Sequence, residues 1–225
     1  PAPHKWTLTS GLDIGINGAD NGSVWLDSGV LAVTNGSANS AFRMGYASTA
    51  NSHSMTVATG AVLVTDTATI GYYGQYNVLT VIGTGSVWTN NGGTGILGWR
   101  SGSYIDDYNE LKILDGAKVR TGAFTLGYAT GGNSGSQENE ATVSGAGSEW
   151  IVGGQLMIGQ LGADNRVTVN SNAYLQTSSI KFSESYKSGN RLTVNGEGTS
   201  WTNTGSAYSG WHGGSAHIYI QNGAD

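Results

Sequence analysis

The residues best suited to chemistry are few and thinly spread. The 225-residue chain carries 15 acidic, 10 basic and 4 histidine side chains, and no cysteine. Hydrolysis of a glycosidic bond needs two carboxyl groups about 5 to 9.5 Å apart flanking the scissile bond. Asp106, Asp107 and Glu110 are neighbours in "YIDDYNE", but they share one loop with no acid or base opposed to them. The other acids are mostly solitary and turn-like, including Asp20 and Asp164 in two "GADN" turns. His4, His53, His212 and His217 fall into no H-E-x-x-H or comparable metal spacing. The missing cysteines exclude disulfides and thiolate ligands. "GGTG" and "GGNSG" have the composition of phosphate loops, yet no helical pattern follows to offer its N-terminal amides. No catalytic centre, cofactor or metal is expected.

Three other residue sets repeat. Asn77, Asn109, Asn139, Asn165 and Asn190 each stand three residues before the centre of an apolar-x-apolar triplet. Stacked amides hydrogen-bond to one another and satisfy turn backbone, so a structural ladder is expected, with a shorter one from Asn170, Asn195 and Gln221. Tyr46, Tyr72, Trp99, Tyr128 and Trp211 follow an apolar-Gly strand end or its equivalent, with Gln160 breaking the series. Rings in register stack on sugars or on each other. Mutual stacking is the stronger expectation, but this column is the best binding candidate, and the excursions at 99–110 and 128–140 leave beside it. Thr56, Thr80, Thr142, Thr168 and Thr193 occupy triplet centres. A flat threonine array suggests ice binding, but Trp25, Lys112 and Tyr219 interrupt this one, and threonine is simply a good strand residue.

All three sets need an element that repeats. The triplets run from Val24-Trp25-Leu26 to Ile218-Tyr219-Ile220, eight in all, every 24 to 32 residues. After each regular triplet comes a turn and a second piece such as "GSVW", "GAKV", "GSEW" or "GTSW", then a third ending in apolar-Gly. Three short strands in this period predict one coil of a parallel β-helix, since a propeller blade needs a longer repeat of hairpin-linked strands. The expected fold is all-β: a single-stranded parallel β-solenoid, three strands per coil, about eight coils, in one domain over 1–225. Residues 1–43 form irregular first coils and 44–225 the regular repeats. Variable spacing favours a wide, right-handed coil, with handedness left open. Trp88, Trp150 and Trp201 alternate with Val119 and Leu175 at equivalent positions, so a large indole should lie over a small aliphatic in the core.

Composition agrees. Glycine is 37 of 225 residues, proline 2, and charged residues 11%, well under the roughly 25% of ordinary domains. Net charge is −5 and the basic residues are scattered along the chain, which disfavours nucleic-acid and anionic-membrane partners. No apolar run is long enough to span a membrane. The start, "PAPHKW", lacks an initiator Met and a signal-type apolar region and reads as a processed or trimmed end.

"VLTVIGTGSVWTNNGGTGILG" and "EATVSGAGSEWIVGGQLMIGQLGADNRVTV" resemble the autotransporter/PEP-CTERM-associated repeat of bacterial secreted surface proteins, over residues 44–225. The resemblance implies an extracellular, cell-surface β-solenoid of passenger type and carries no catalytic residues with it. The expected function is a structural or adhesive segment without chemistry, self-associating along its axis as a filament or forming part of a long passenger. Glycans are a further candidate partner. The alternative is a carbohydrate-binding or carbohydrate-degrading β-helix protein.

Overall fold

The computed structural model describes residues 4–16, 18, 20–34, 42–100, 107–130, 135–183, 188–210 and 214–225. Among these residues every regular element is a strand and there is no helix, hence none long and apolar enough to cross a membrane. Each strand pairs in parallel with its equivalent one coil away. A parallel pair needs a long crossover, and here the rest of the coil supplies it.

Three columns result. The first face stacks Lys5–Leu8, Val30–Val33, Val62–Thr65, Val87–Asn90, Lys118–Thr121 and Ser200–Asn203. The second stacks Leu12–Ile14, Phe42–Met44, Ala68–Tyr72, Gly95–Arg100, Phe124–Ala129 and Ala207–Tyr208. Two long strands, Glu149–Ile158 and Tyr174–Phe182, run through the corner and serve both faces, so the count of three strands per coil holds approximately. The third face is an 8-stranded sheet of Ser23–Leu26, Ser54–Val57, Val78–Ile82, Glu110–Leu114, Glu140–Ser144, Arg166–Asn170, Asn190–Asn195 and Ala216–Gln221. Eight strands in a column mark out about seven turns of a β-solenoid. The first coil enters these columns in register, Lys5 opposite Val30 and Trp25 opposite Thr56.

The triplets face as their alternation dictates. Leu79, Val81, Leu111, Ile113, Val167 and Val169 are buried, while the centres between them, Thr80, Lys112 and Thr168, sit half-exposed in one outward column. The inward column of the first face reads Trp6, Leu31, Leu63, Trp88, Val119, Trp150, Leu175, Trp201. Trp150 is fully buried between Val119 and Leu175, the expected large-over-small interleaving. Phe124 of the second face meets both neighbouring indoles edge-on, at 6.4 Å and 78° to Trp88 and 5.0 Å and 89° to Trp150.

A buried indole N–H needs an acceptor, and the coil before each tryptophan provides one. Trp88 Nε1 donates to Thr65 Oγ1 at 3.0 Å, Trp150 Nε1 to Thr121 Oγ1 at 3.3 Å and Trp201 Nε1 to Thr177 Oγ1 at 3.1 Å. Each threonine stands two residues after the aliphatic that the indole covers. The alternation is therefore a pairing of "aliphatic-x-Thr" coils with tryptophan coils.

Candidate functional site

The expected asparagine ladder forms, at the corner entering the third face. Each of the five side chains is fully buried. Asn109 Oδ1 accepts from the backbone N–H of Asn77 at 3.0 Å and from its Nδ2 at 2.9 Å. The same double contact repeats from Asn109 to Asn139, Asn139 to Asn165 and Asn165 to Asn190, at 2.8 to 3.2 Å. All amides point the same way, an arrangement in which each hydrogen bond polarises the next. The shorter set comes into register, Asn170 opposite Asn195 opposite Gln221, without forming a ladder. Asn195 Oδ1 instead accepts from Asn222 at 2.7 Å, and Asn170 Oδ1 is buried without a partner among the described residues.

Two features of the ladder go beyond the sequence reading. Each rung lies against the glycine of an apolar-Gly pair one coil earlier. At Gly71, φ is +76° and a Cβ would stand 2.2 Å from Asn109 Nδ2, so only glycine suits both the backbone and the space. The same relation joins Gly45 to Asn77, Gly98 to Asn139, Gly127 to Asn165 and Gly159 to Asn190. The second feature is a histidine rung. His53 also stands three residues before a triplet centre, and its backbone N–H donates to Asn77 Oδ1 at 3.2 Å. Its ring is buried, and Nδ1 accepts from Gly22 N–H at 2.9 Å. That bond assigns the proton of the neutral ring to Nε2, which has no partner among the described residues. Spacing from the triplet is the signal that would have found it.

The aromatic column also forms. Tyr46 and Tyr72 stack at 5.1 Å and 17°, Tyr72 and Trp99 at 4.3 Å and 6°, and Trp99 and Tyr128 at 6.4 Å and 16°. Tyr73 closes on Tyr72 and Trp99 edge-on. Arg43 packs against both tyrosines, its Cζ 4.0 Å from the Tyr46 centroid and 5.8 Å from that of Tyr72, and its guanidinium grips Asp13 at 2.6 and 2.7 Å. The bond to Asp13 holds Arg43 more firmly protonated than usual, and burial raises the Tyr72 hydroxyl above its ordinary value. The ring faces between neighbours in the column are thus spent on one another, which is the mutual stacking expected. Trp211 lies outside the described residues.

The two described members of the acidic trio take separate partners. Asp107 is buried in an ion pair with Arg100, Glu110 faces outward beside Lys112, and Asp106 lies outside the described residues. His4 is exposed, His217 faces outward on the last strand of the third face, and His212 lies outside the described residues. No group of three or more metal-capable side chains occurs among the described residues.

Side chains that look solitary in the sequence do meet, however. The residue before each rung is left-handed, at φ 56° for Tyr76, 46° for Tyr108, and 55° for both Glu138 and Asp164. This turn carries the side chain outward, where Tyr76 and Tyr108 stack at 5.2 Å. Glu138 and Asp164 arrive at the same corner as Arg166 and Arg191 and line one shallow depression of about 230 Å³ with them. The basic residues are therefore not all scattered in space: Arg166 and Arg191 are direct neighbours, opposite each other in the sheet. The chain matches no family model, and no curated protein or solved structure is significantly similar to it.

Proposed function

We propose that this chain is a stiff segment of an extracellular bacterial surface protein, structural or adhesive, which performs no chemistry and associates end to end along its axis. One observation carries the reading. Columns that are sealed inside the solenoid stand open at both terminal coils. Leu192 and Val194 are fully buried, whereas Ile218 and Ile220, next in the same columns, are 39% and 52% exposed. Trp6 is 71% exposed where Trp88 and Trp150, in its own column, are fully covered. Open parallel edges carrying apolar inward residues invite another coil. That coil belongs either to the same polypeptide or to a second copy, and contact between unlike ends propagates instead of closing. The resemblance of the repeats to bacterial passenger repeats supports the surface location.

The test is particle length against concentration. Negative-stain images and light scattering of the 225-residue chain should show rods that lengthen as concentration rises. Lysine at both Ile218 and Ile220 should hold the particles at single-chain length. Wild-type particles of single-chain mass across the whole concentration range would overturn self-association.

A further inference from the structure

The third face changes character along its length. The outward column two residues before the triplet centres reads Glu110, Glu140, Arg166, Arg191 and His217 in strict register. Four of the five arginines lie against carboxylates: Arg43 on Asp13, Arg100 on Asp107, Arg120 on Glu149 and, loosely at 3.6 Å, Arg166 on Glu140. Arg191 alone has no ion pair among the described residues, although it is exposed on the neighbouring strand. Arg166 Nε is shut off from solvent without a hydrogen bond. Arg166 and Arg191 line a second depression of about 450 Å³ with Thr168, Thr193, Tyr219 and Gln221, and Glu140 closes its end beside Arg166. On their other side lie the Glu138 and Asp164 carboxylates.

We propose that this strip is a binding site for an acidic polysaccharide of the uronic-acid class, laid along the solenoid axis. Paired arginines match a carboxylate, because a guanidinium presents its donors in a planar fork. The threonine hydroxyls and the flanking Glu138 and Asp164 are acceptors for sugar hydroxyls. A phosphodiester chain has charge for the arginines, but its phosphates are not flanked by ring hydroxyls as a uronate carboxylate is, so it makes less use of those carboxylates. From the strand of Glu140 to that of Tyr219 there are three strand spacings, roughly 14 Å, which suits several linked rings and exceeds a single small anion. The protein's net charge of −5 opposes unspecific capture of any polyanion, so binding must come from a local site. This inference goes beyond the scaffold reading and does not depend on it.

The experiment is affinity electrophoresis of the whole chain through gels holding polygalacturonate, neutral dextran or single-stranded polynucleotide. Polygalacturonate should retard the wild type and dextran should not. Arg191→Gln, on an exposed side chain, should weaken the retardation at least tenfold with an unchanged circular dichroism spectrum. Arg120→Gln, on the first face, should leave it intact. Equal retardation of wild type and Arg191→Gln overturns the proposal. So does retention by dextran, or by polynucleotide, as strong as by polygalacturonate.

Discussion

Thr121 shows how much one hydroxyl decides. It is buried, and it accepts the indole proton of Trp150 at 3.3 Å. Replacing it with valine keeps the shape and strands a buried donor, at about 1–3 kcal/mol. Trp150→Ala removes the indole and leaves a cavity between Val119 and Leu175, at about 3–5 kcal/mol. Thr168→Ala, on an outward column, should fall within about 0.5 kcal/mol. Urea unfolding should rank Trp150→Ala as the most damaging, then Thr121→Val, then Thr168→Ala, and a Thr121→Val effect as small as that of Thr168→Ala would mean the indole proton is satisfied elsewhere. The inward tryptophans were legible from the sequence because Trp88, Trp150 and Trp201 each stand eight residues after a triplet centre, whereas Trp25, in the same Gly-Ser-x-Trp wording, is itself a triplet centre and faces outward. The threonine acceptors were not. Each lies 23, 29 or 24 residues before its indole in the sequence, and nothing in a common strand residue announces that role.

At the scale of strand and corner, the glycine and asparagine of successive coils act as one joint. Asn109→Ala removes an acceptor used twice by Asn77 and a donor to Asn139, leaving several buried groups unpaired at roughly 1–3 kcal/mol each. Gly71→Ala should be at least as damaging, from strain at positive φ and from overlap with the same amide. Because the overlap disappears when the amide is gone, the double variant should cost less than the two single effects together. Additive effects would show that the glycine serves its turn alone. His53→Asn should extend the ladder by one amide rung and equal or exceed the wild type in stability, whereas His53→Ala should fall below it. The asparagines and the apolar-Gly pairs were both legible as repeats. Their mutual contact was not, because it joins one coil to the next and depends on how the left-handed residue before each rung aims the chain. The aromatic column was legible for the same reason the ladder was. The arginine strip was missed because its members are 25 residues apart and adjacent only across the sheet.

For the whole molecule, eight strands per column at about 4.8 Å give a rod of roughly 35–40 Å, in which each coil touches only its neighbours. Circular dichroism should accordingly be that of a β-protein without appreciable helix. The tryptophan–threonine pairing has a further consequence, for how such a gene can change length. A duplication can begin at any codon, provided it spans whole periods, since glycine and asparagine partners are then copied together. The core column sets a stricter rule. Copying the single coil of Trp150 would lay indole on indole and leave one of them facing no threonine. Copying a pair, such as the 51 residues between Trp150 and Trp201, restores Trp, aliphatic-x-Thr, Trp. A chain enlarged by that pair should fold and lengthen by about 10 Å, while one enlarged by the tryptophan coil alone should unfold at lower urea than the parent. Unequal recombination acting on this gene would therefore leave descendants that differ by even numbers of coils in the tryptophan half. Steps of one coil would survive only around Leu31 and Leu63, where two aliphatics already lie one above the other.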